Sequence, residues 1–187
     1  IGEALRKYDW LKDYYWKLVP RDKDQYTKFV ADQPDPRGFL IIARKGSRTV
    51  YPLQACLFLS KTPVQHVHNL IIAEEGAELH IISGCASASY TKTGSHVGVS
   101  EFYVGKGARV TSTMIHNWGQ EISVFPRSAA LVEEDGVFLS NYVCMQPVRK
   151  VQMAPVAYLK GKNAIARFSS ITVTTPGSSM DLGSVVH

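Results

Sequence analysis

The side chains in this sequence with the widest chemical reach are three thiols and a few imidazoles. The cysteines are Cys56, Cys85 and Cys144. An odd count with no close pair does not look like a secreted disulfide framework. Reduced thiols act as metal or sulfur ligands more often than as staples. Cys85, in SGCASAS, follows Gly84 among small residues, which reads as a strand end with open space around the thiol. Cys56, in QACLFL, and Cys144, in NYVCMQ, read as core filling, because free cysteine is among the most buried residue types. His116, in MIHNWG, taken alone reads as a satisfied structural residue beside Trp118. His66 and His68, in VQHVHN, share one face of a strand. Such a pair can bind a metal, but no third ligand accompanies it, so a solvated strand edge is the better reading.

Enzyme signatures are missing from the sequence. It has no P-loop, no GxGxxG after a strand, no CxxC, no GxSxG and no HExxH. Paired carboxylates occur at Glu74-Glu75 and at Glu133-Glu134-Asp135. They share a sequence column with Arg44-Lys45, and a column that takes either sign reads as a solvated turn.

The elements that must position these groups follow from an internal repeat. LIIARKG at 40–46 recurs as LIIAEEG at 70–76, then as EFYVGKG at 101–107, ALVEEDG at 130–136 and AYLKGKN at 157–163. The anchors Gly46, Gly76, Gly107, Gly136 and Asn163 are spaced by 30, 31, 29 and 27 residues. Gly and Asn accept the positive φ of a tight turn. Each unit is an apolar strand, a charged turn and a second strand. It cannot bury its own apolar face, so copies must stack. The fold class expected is all-β, a right-handed parallel β-helix (solenoid) with a short N-terminal helix. An antiparallel sandwich explains the strands but not the matching columns.

Nine positions after each anchor come Ala55, Cys85, His116, Met145 and Thr172. Cys85 and His116 are therefore expected on adjacent rungs, where two such ligands could share a metal or a sulfur species. Cys144 falls one position off, and faces the opposite side unless the register slips by one. His80 falls in a largely polar column and is expected to be exposed. Residues 176–187, PGSSMDLGSVVH, look like the start of a further coil, so the stack is expected to be cut open at its C-terminal end.

Two parts are expected: residues 1–37 as an N-terminal helix and linker, and 38–187 as the β-helix core. Trp10 with Tyr14, and Leu11 with Tyr15 and Leu18, have helical spacing that Pro20 ends. DQPDPRG then reads as a turn-rich link. The net charge of +5 is modest and scattered, which argues against a nucleic-acid face. No apolar run reaches the ~18 residues needed to span a membrane, and IGEALRKYDW lacks a signal-peptide core. A cytoplasmic setting is expected, and a start at Ile1 suggests a piece of a longer chain.

Several segments carry a family resemblance. Trp10-Leu11-Lys12-Asp13-Tyr14-Tyr15-Trp16, then HNLIIAEEGAELHIISGCASA, then EFYVGKGARVTSTMIHNW and YLKGKNAIARFSSITVTT resemble the SufB/SufD family of iron–sulfur cluster assembly proteins, in its short, archaeal-like branch. The resemblance implies a parallel β-helix acting as a non-enzymatic scaffold that accepts sulfur and iron. It implies a transient iron–sulfur cluster in the full-length protein and none resident in this piece. The implied partners are a SufC-type ATPase and a second β-helix, as a homodimer or a SufB–SufD-type heterodimer. It associates Cys85 with sulfur entry, and it places His116, Trp118 and Arg127 along an interior route. Cys85 would carry persulfide sulfur, helped by a nearby cation if His116 or Arg127 faces the same interior. The family's later ligands and its SufC-binding helices would lie beyond His187.

This sequence also departs from the pattern. A typical SufB has glutamate before Gly-Cys, a proline soon after, and glutamine at the third site; here stand Ser83, Ala88 and His116. That leaves SufB-like, SufD-like and ancestral roles open. The competing readings are a carbohydrate-active β-helix enzyme of the pectate-lyase type and a purely structural dimerisation module.

Overall fold

The computed structural model describes residues 1–59, 63–88, 90–91 and 93–187. Short β-branched and apolar runs, punctuated by tight turns, form thirteen strands among these residues. They are β1 (Leu40–Ala43), β2 (Leu53–Leu59), β3 (Val64–Ala73), β4 (Glu78–Ser87), β5 (Gly94–Val104), β6 (Arg109–Asn117) and β7 (Ile122–Val132). There follow β8 (Val137–Cys144), β9 (Lys150–Met153), β10 (Val156–Leu159), β11 (Ile165–Thr172), β12 (Ser179–Leu182) and β13 (Val185–Val186).

One sheet runs β1-β3-β5-β7-β10-β13, with β9 joined to β7 and β12 to β9; the other runs β11-β8-β6-β4-β2. All the strand pairings among the described residues are parallel, for example Leu40↔Leu70↔Glu101↔Ala129 along the first sheet. Each strand thus pairs with the same position one coil on. The result is a β-solenoid of about five turns, as the repeat predicts, and not an antiparallel sandwich. The segment after residue 176 continues the winding, with β12 and β13 pairing with β9 and β10.

The register differs from the glycine-matched one at two places. The left-handed turn residues are Gly46, Gly76, Gly107, Asp135 and Asn163, so the fourth anchor is Asp135 rather than Gly136. Asp tolerates this conformation, and its neighbouring glycine misdirects an alignment by residue type. The correct anchor moves every later position in that coil by one. Phe138, not Leu139, then pairs with the core residue Val110, and Cys144 pairs with His116. The first coil carries two extra residues between Arg48 and Leu53. Val50 and Tyr51 loop out there at 86% and 81% exposure, and Leu57, not Ala55, pairs with Cys85.

At the anchor turns Lys45 pairs with Glu75 and Lys106 with Glu134, each at 2.8 Å and exposed. Exposed pairs of this kind contribute little to stability. They do explain why the turn column alternates in sign from coil to coil.

Residues 1–37 do not form the single helix expected over residues 8–18. They form α1 (Gly2–Lys7), a 3-10 turn (Asp9–Asp13) and α2 (Gln25–Ala31), the last with a capping box between Asp24 and Thr27. The helical spacing is overridden from outside. Glu101 on β5 accepts hydrogen bonds from the backbone N–H groups of Trp16, Leu18 and Val19, and Trp16 turns to φ 60°. Those N–H groups cannot also serve a helix. The segment packs on the outer face of the first sheet through Leu11, Val19 and Val30.

The interior holds two apolar clusters. One, near the anchor turns, includes Ile71, Leu79, Phe102 and Phe138; the other includes Leu59, Ile122, Val124 and Val151. Residues of both clusters border a cavity of about 290 Å³, lined also by Ser100, Ser112 and Ser140.

Candidate functional site

Alternation along the strands selects which side chains face the interior. On β5, His96, Gly98, Ser100 and Phe102 border the cavity, while Val97 and Val99 pack outward beneath the N-terminal segment. Gly98 gives the neighbouring imidazole room, since a Cβ there would stand 2.9 Å from His96 Nε2. On the opposite sheet, Cys85, His116 and Cys144 stand in one column on successive strands.

The two sheets bring three groups together. The Cys85 sulfur and one ring nitrogen each of His96 and His116 all lie within 4.8 Å of one another, and all three residues are buried. His96 Nδ1 is 2.8 Å from Gln65 Oε1, so it donates there. His116 Nδ1 is 3.0 Å from the Tyr142 hydroxyl. Both Nδ1 atoms are therefore occupied. His116 Nε2 is fully buried with no hydrogen-bond partner among the described residues, and so is Trp118 Nε1. The Trp118 ring lies 5.1 Å from His96 and 5.5 Å from His116, closing one side of the cluster.

Burial sets the charge of these groups. It pushes the Cys85 thiol up to about 12, with Cys56 adding in the same direction. It lowers His96 to about 4 and holds His116 well below its ordinary value, the latter with help from His96. At neutral pH the cluster is a thiol beside two neutral imidazoles, with several lone pairs and no net charge. Burial also raises the Cys144 thiol. Cys144 Sγ lies 3.4 Å from the Gln146 carbonyl.

Several sequence expectations change here. Cys85 is not at an open strand end: β4 continues to Ser87 and Cys85 is 1% exposed. Cys56 is exposed rather than core, on the outer face, where it pairs with Gly84. Cys144 is buried as expected, but it joins the Cys85–His116 column because of the Asp135 anchor. His80 is partly exposed, as its column suggests.

Arg127 does not face the interior. Its guanidinium bonds Asp24 and the Gln152 carbonyl and lies 4.9 Å from the Tyr26 ring, which fixes α2 to the outside of β7. It therefore supplies no charge to Cys85. Nor does a solvated edge describe His68, which is fully buried. His68 Nε2 lies 2.8 Å from Glu101, and its ring stacks on Tyr15 at 4.2 Å. His66 lies on the same outer face, edge-on to Phe29.

His96, Gln65 and Tyr142 are members that the sequence reading does not reach. His96 pairs in register with Gln65, but neither falls in the anchor-to-anchor columns of the second strand. Only the alternation His96-Gly98-Ser100-Phe102 marks it as inward-facing.

Comparison with known proteins gives a consistent result. The family described as SUF system FeS cluster assembly, SufBD core domain, matches residues 57–187. An "Iron-sulfur cluster assembly SufBD family protein" of Archaeoglobus fulgidus is 48% identical over 98% of this chain and 49% of its own length. One of Methanothermobacter thermautotrophicus is 46% identical over 100% of this chain and 46% of its own length. The "Iron-sulfur cluster assembly protein SufB" of Bacillus subtilis is 26% identical over 96% of this chain and 38% of its own length. The chain thus spans about half the length, or less, of these curated relatives.

Proposed function

This chain belongs to the SufBD family of the SUF iron–sulfur cluster assembly system, and on that premise we propose that it is the scaffold body on which sulfur is received for cluster building. The observation that carries the reading is the buried Cys85 thiol beside the imidazoles of His96 and His116, in a column that Cys144 continues. Cys85 is the sulfur acceptor. Its thiolate attacks the terminal sulfur of a donor persulfide; the new S–S bond forms as the donor's S–S bond breaks and the donor thiolate leaves.

Burial keeps the thiol protonated, so the attack needs a proton acceptor. The unpartnered Nε2 of His116 is a suited group in the cluster. Trp118 shields the cluster from water, which protects a persulfide from exchange with stray thiols. The cavity gives the sulfur a sheltered path past Tyr142 and Met114. Arg127 acts at one remove by clamping the N-terminal segment. Iron and sulfide are cargo, and the SufC-type ATPase and a second SufB- or SufD-type chain are the partners that complete the assembly. The role is that of a cytoplasmic scaffold and not of an enzyme with its own turnover.

The glycan-cleaving reading draws no support from the acidic residues. Glu74, Glu75 and Glu134 are paired with Arg44, Lys45 and Lys106 on exposed turns.

Anaerobic reconstitution of the full-length protein with iron and sulfide, followed by visible absorption, tests the proposal. Wild type should develop cluster-type absorption. With persulfide as the sulfur source, Cys85→Ser should lose most of it. Unchanged assembly from persulfide in folded Cys85→Ser would remove Cys85 from the role.

A further inference from the structure

Sulfur acceptance uses one thiol. It does not explain why two imidazoles, each anchored through Nδ1, converge on that thiol in a dry interior. A buried polar atom without a partner is costly, so one that points into a cluster of ligand-type groups calls for an explanation. His116 Nε2 has none among the described residues, though the residue is 2% exposed. His96 Nδ1 is taken by Gln65, which leaves Nε2 as the ring nitrogen available for ligation.

We propose that Cys85 Sγ, His96 Nε2 and His116 Nε2 form a binding site for a single thiophilic divalent metal ion of the zinc(II) or iron(II) class. A thiolate and two imidazoles form a donor set suited to such ions. The outer partners have the usual form of a histidine–metal site. There the second ring nitrogen is hydrogen-bonded, which fixes the tautomer and turns the ligand nitrogen inward. Gln65 does this for His96 and the Tyr142 hydroxyl for His116.

The size is right for closure around an ion. Ligand atoms of a tetrahedral site with ordinary metal–nitrogen and metal–sulfur lengths stand about 3.3–3.6 Å apart. The Cys85 sulfur and one ring nitrogen of each histidine lie within 4.8 Å of one another, so side-chain adjustments of about an ångström bring Sγ and the two Nε2 atoms into the triangle. Three protein ligands leave a fourth position, as in sites that exchange a ligand. The cavity bordered by His96 and Tyr142 has room for it. The ligands come from both sheets, so the ion would also tie β5 to β4 and β6 across the interior.

The inference stands apart from the assembly reading, since a metal can bind here whether or not Cys85 ever carries sulfur. Cobalt(II) titration of the purified protein, freed of metal under anaerobic conditions, tests it. The expected result is one equivalent bound with a thiolate-to-cobalt charge-transfer band and tetrahedral visible bands. Zinc(II) should displace it.

Cys85→Ser should abolish the charge-transfer band. His96→Gln and His116→Gln should each weaken cobalt binding by about tenfold or more, since losing even an outer partner of a ligand costs that much. Cys56→Ser, on the outer face, should leave the spectrum unchanged. Absence of the band in folded wild-type protein overturns the proposal without recourse to any variant, and so does a band that survives in Cys85→Ser. Cluster assembly in a protein without the cobalt signal removes this site and leaves the assembly reading standing. A cobalt signal in a protein that assembles no cluster supports the site and removes the assembly reading.

Discussion

His96 and Glu101 stand on the same strand, face opposite ways, and are both buried, yet their surroundings differ in kind. Glu101, outside, meets three backbone N–H groups and the ring of His68. Arg127, two strands on, spends its guanidinium on Asp24, Gln152 and Pro126. On this face each of these charges is met by hydrogen-bond donors or an opposite charge, although His68 Nδ1 has no partner among the described residues, and the N-terminal segment is held down by the match. Inside, Cys85, His96 and His116 meet one another with nitrogen lone pairs to spare. Polar groups that are fully partnered build structure. Buried groups whose open valences converge from two sheets on one point are arranged for something that arrives.

The strongest way to break this contrast is Glu101→Ala. It strands the N–H groups of Trp16, Leu18 and Val19 and the Nε2 of His68 in a dry layer. Removing one partner from such a buried charged network costs about 3–5 kcal/mol. Urea unfolding should show that loss, and limited proteolysis should open the chain between residues 14 and 24. A loss below about 1 kcal/mol would mean that the outer network is not what holds the segment.

The two faces were not equally legible in the sequence. The coils themselves were, because stacking forces like residues into like positions. LIIARKG and LIIAEEG lie directly over one another in the structure. Cys85 beside His116 followed from the same columns. The fourth coil misled because Asp135 does a glycine's work next to a glycine, and that hid Cys144 from its column. His96 was missed because its strand precedes the anchor, on the side where only alternation gives direction. The outer network was missed altogether. Glu101 to Trp16, and Arg127 to Asp24, are pairings between segments some 80 to 100 residues apart that no repeat encodes. For the same reason Arg127, aligned by family resemblance to the interior, sits outside.

A second, smaller effect is the acid response of the outer face. Burial lowers the proton affinity of His68 below the ordinary value of 6.5, against the opposing pull of Glu101. The folded state therefore binds the proton less readily than the unfolded chain. The stability this contributes is complete above pH 6.5 and is lost as pH falls through the lower folded value. Asp24 differs. Burial alone would raise its carboxyl, but the Thr27 N–H and the Arg127 guanidinium outweigh it and hold the value below 3.8. Its contribution is present above pH 3.8 and is lost only in stronger acid. The unfolding free energy, measured by urea from pH 7 downward, should therefore begin to fall below pH 6.5. In His68→Gln that first slope should be shallower, by up to about 1.4 kcal/mol per pH unit. An unchanged slope would assign the acid response to other groups.

The smallest expected effect on stability is the one that separates the faces most sharply. His116→Phe removes a buried ring whose Nε2 has no partner and replaces it with one of similar volume beside the rings of Trp118 and Tyr142. Losing the Tyr142 hydrogen bond costs about 1 kcal/mol, and relieving an unpaired buried nitrogen returns about as much. Unfolding by urea should therefore stay within about 1 kcal/mol of wild type. The same protein should lose most of its cluster assembly, because neither a proton acceptor nor a metal ligand remains at that position. A loss of several kcal/mol would instead make His116 a structural residue like Glu101. It would mean that the interior, for all its open valences, is held together by the same rule as the outer face.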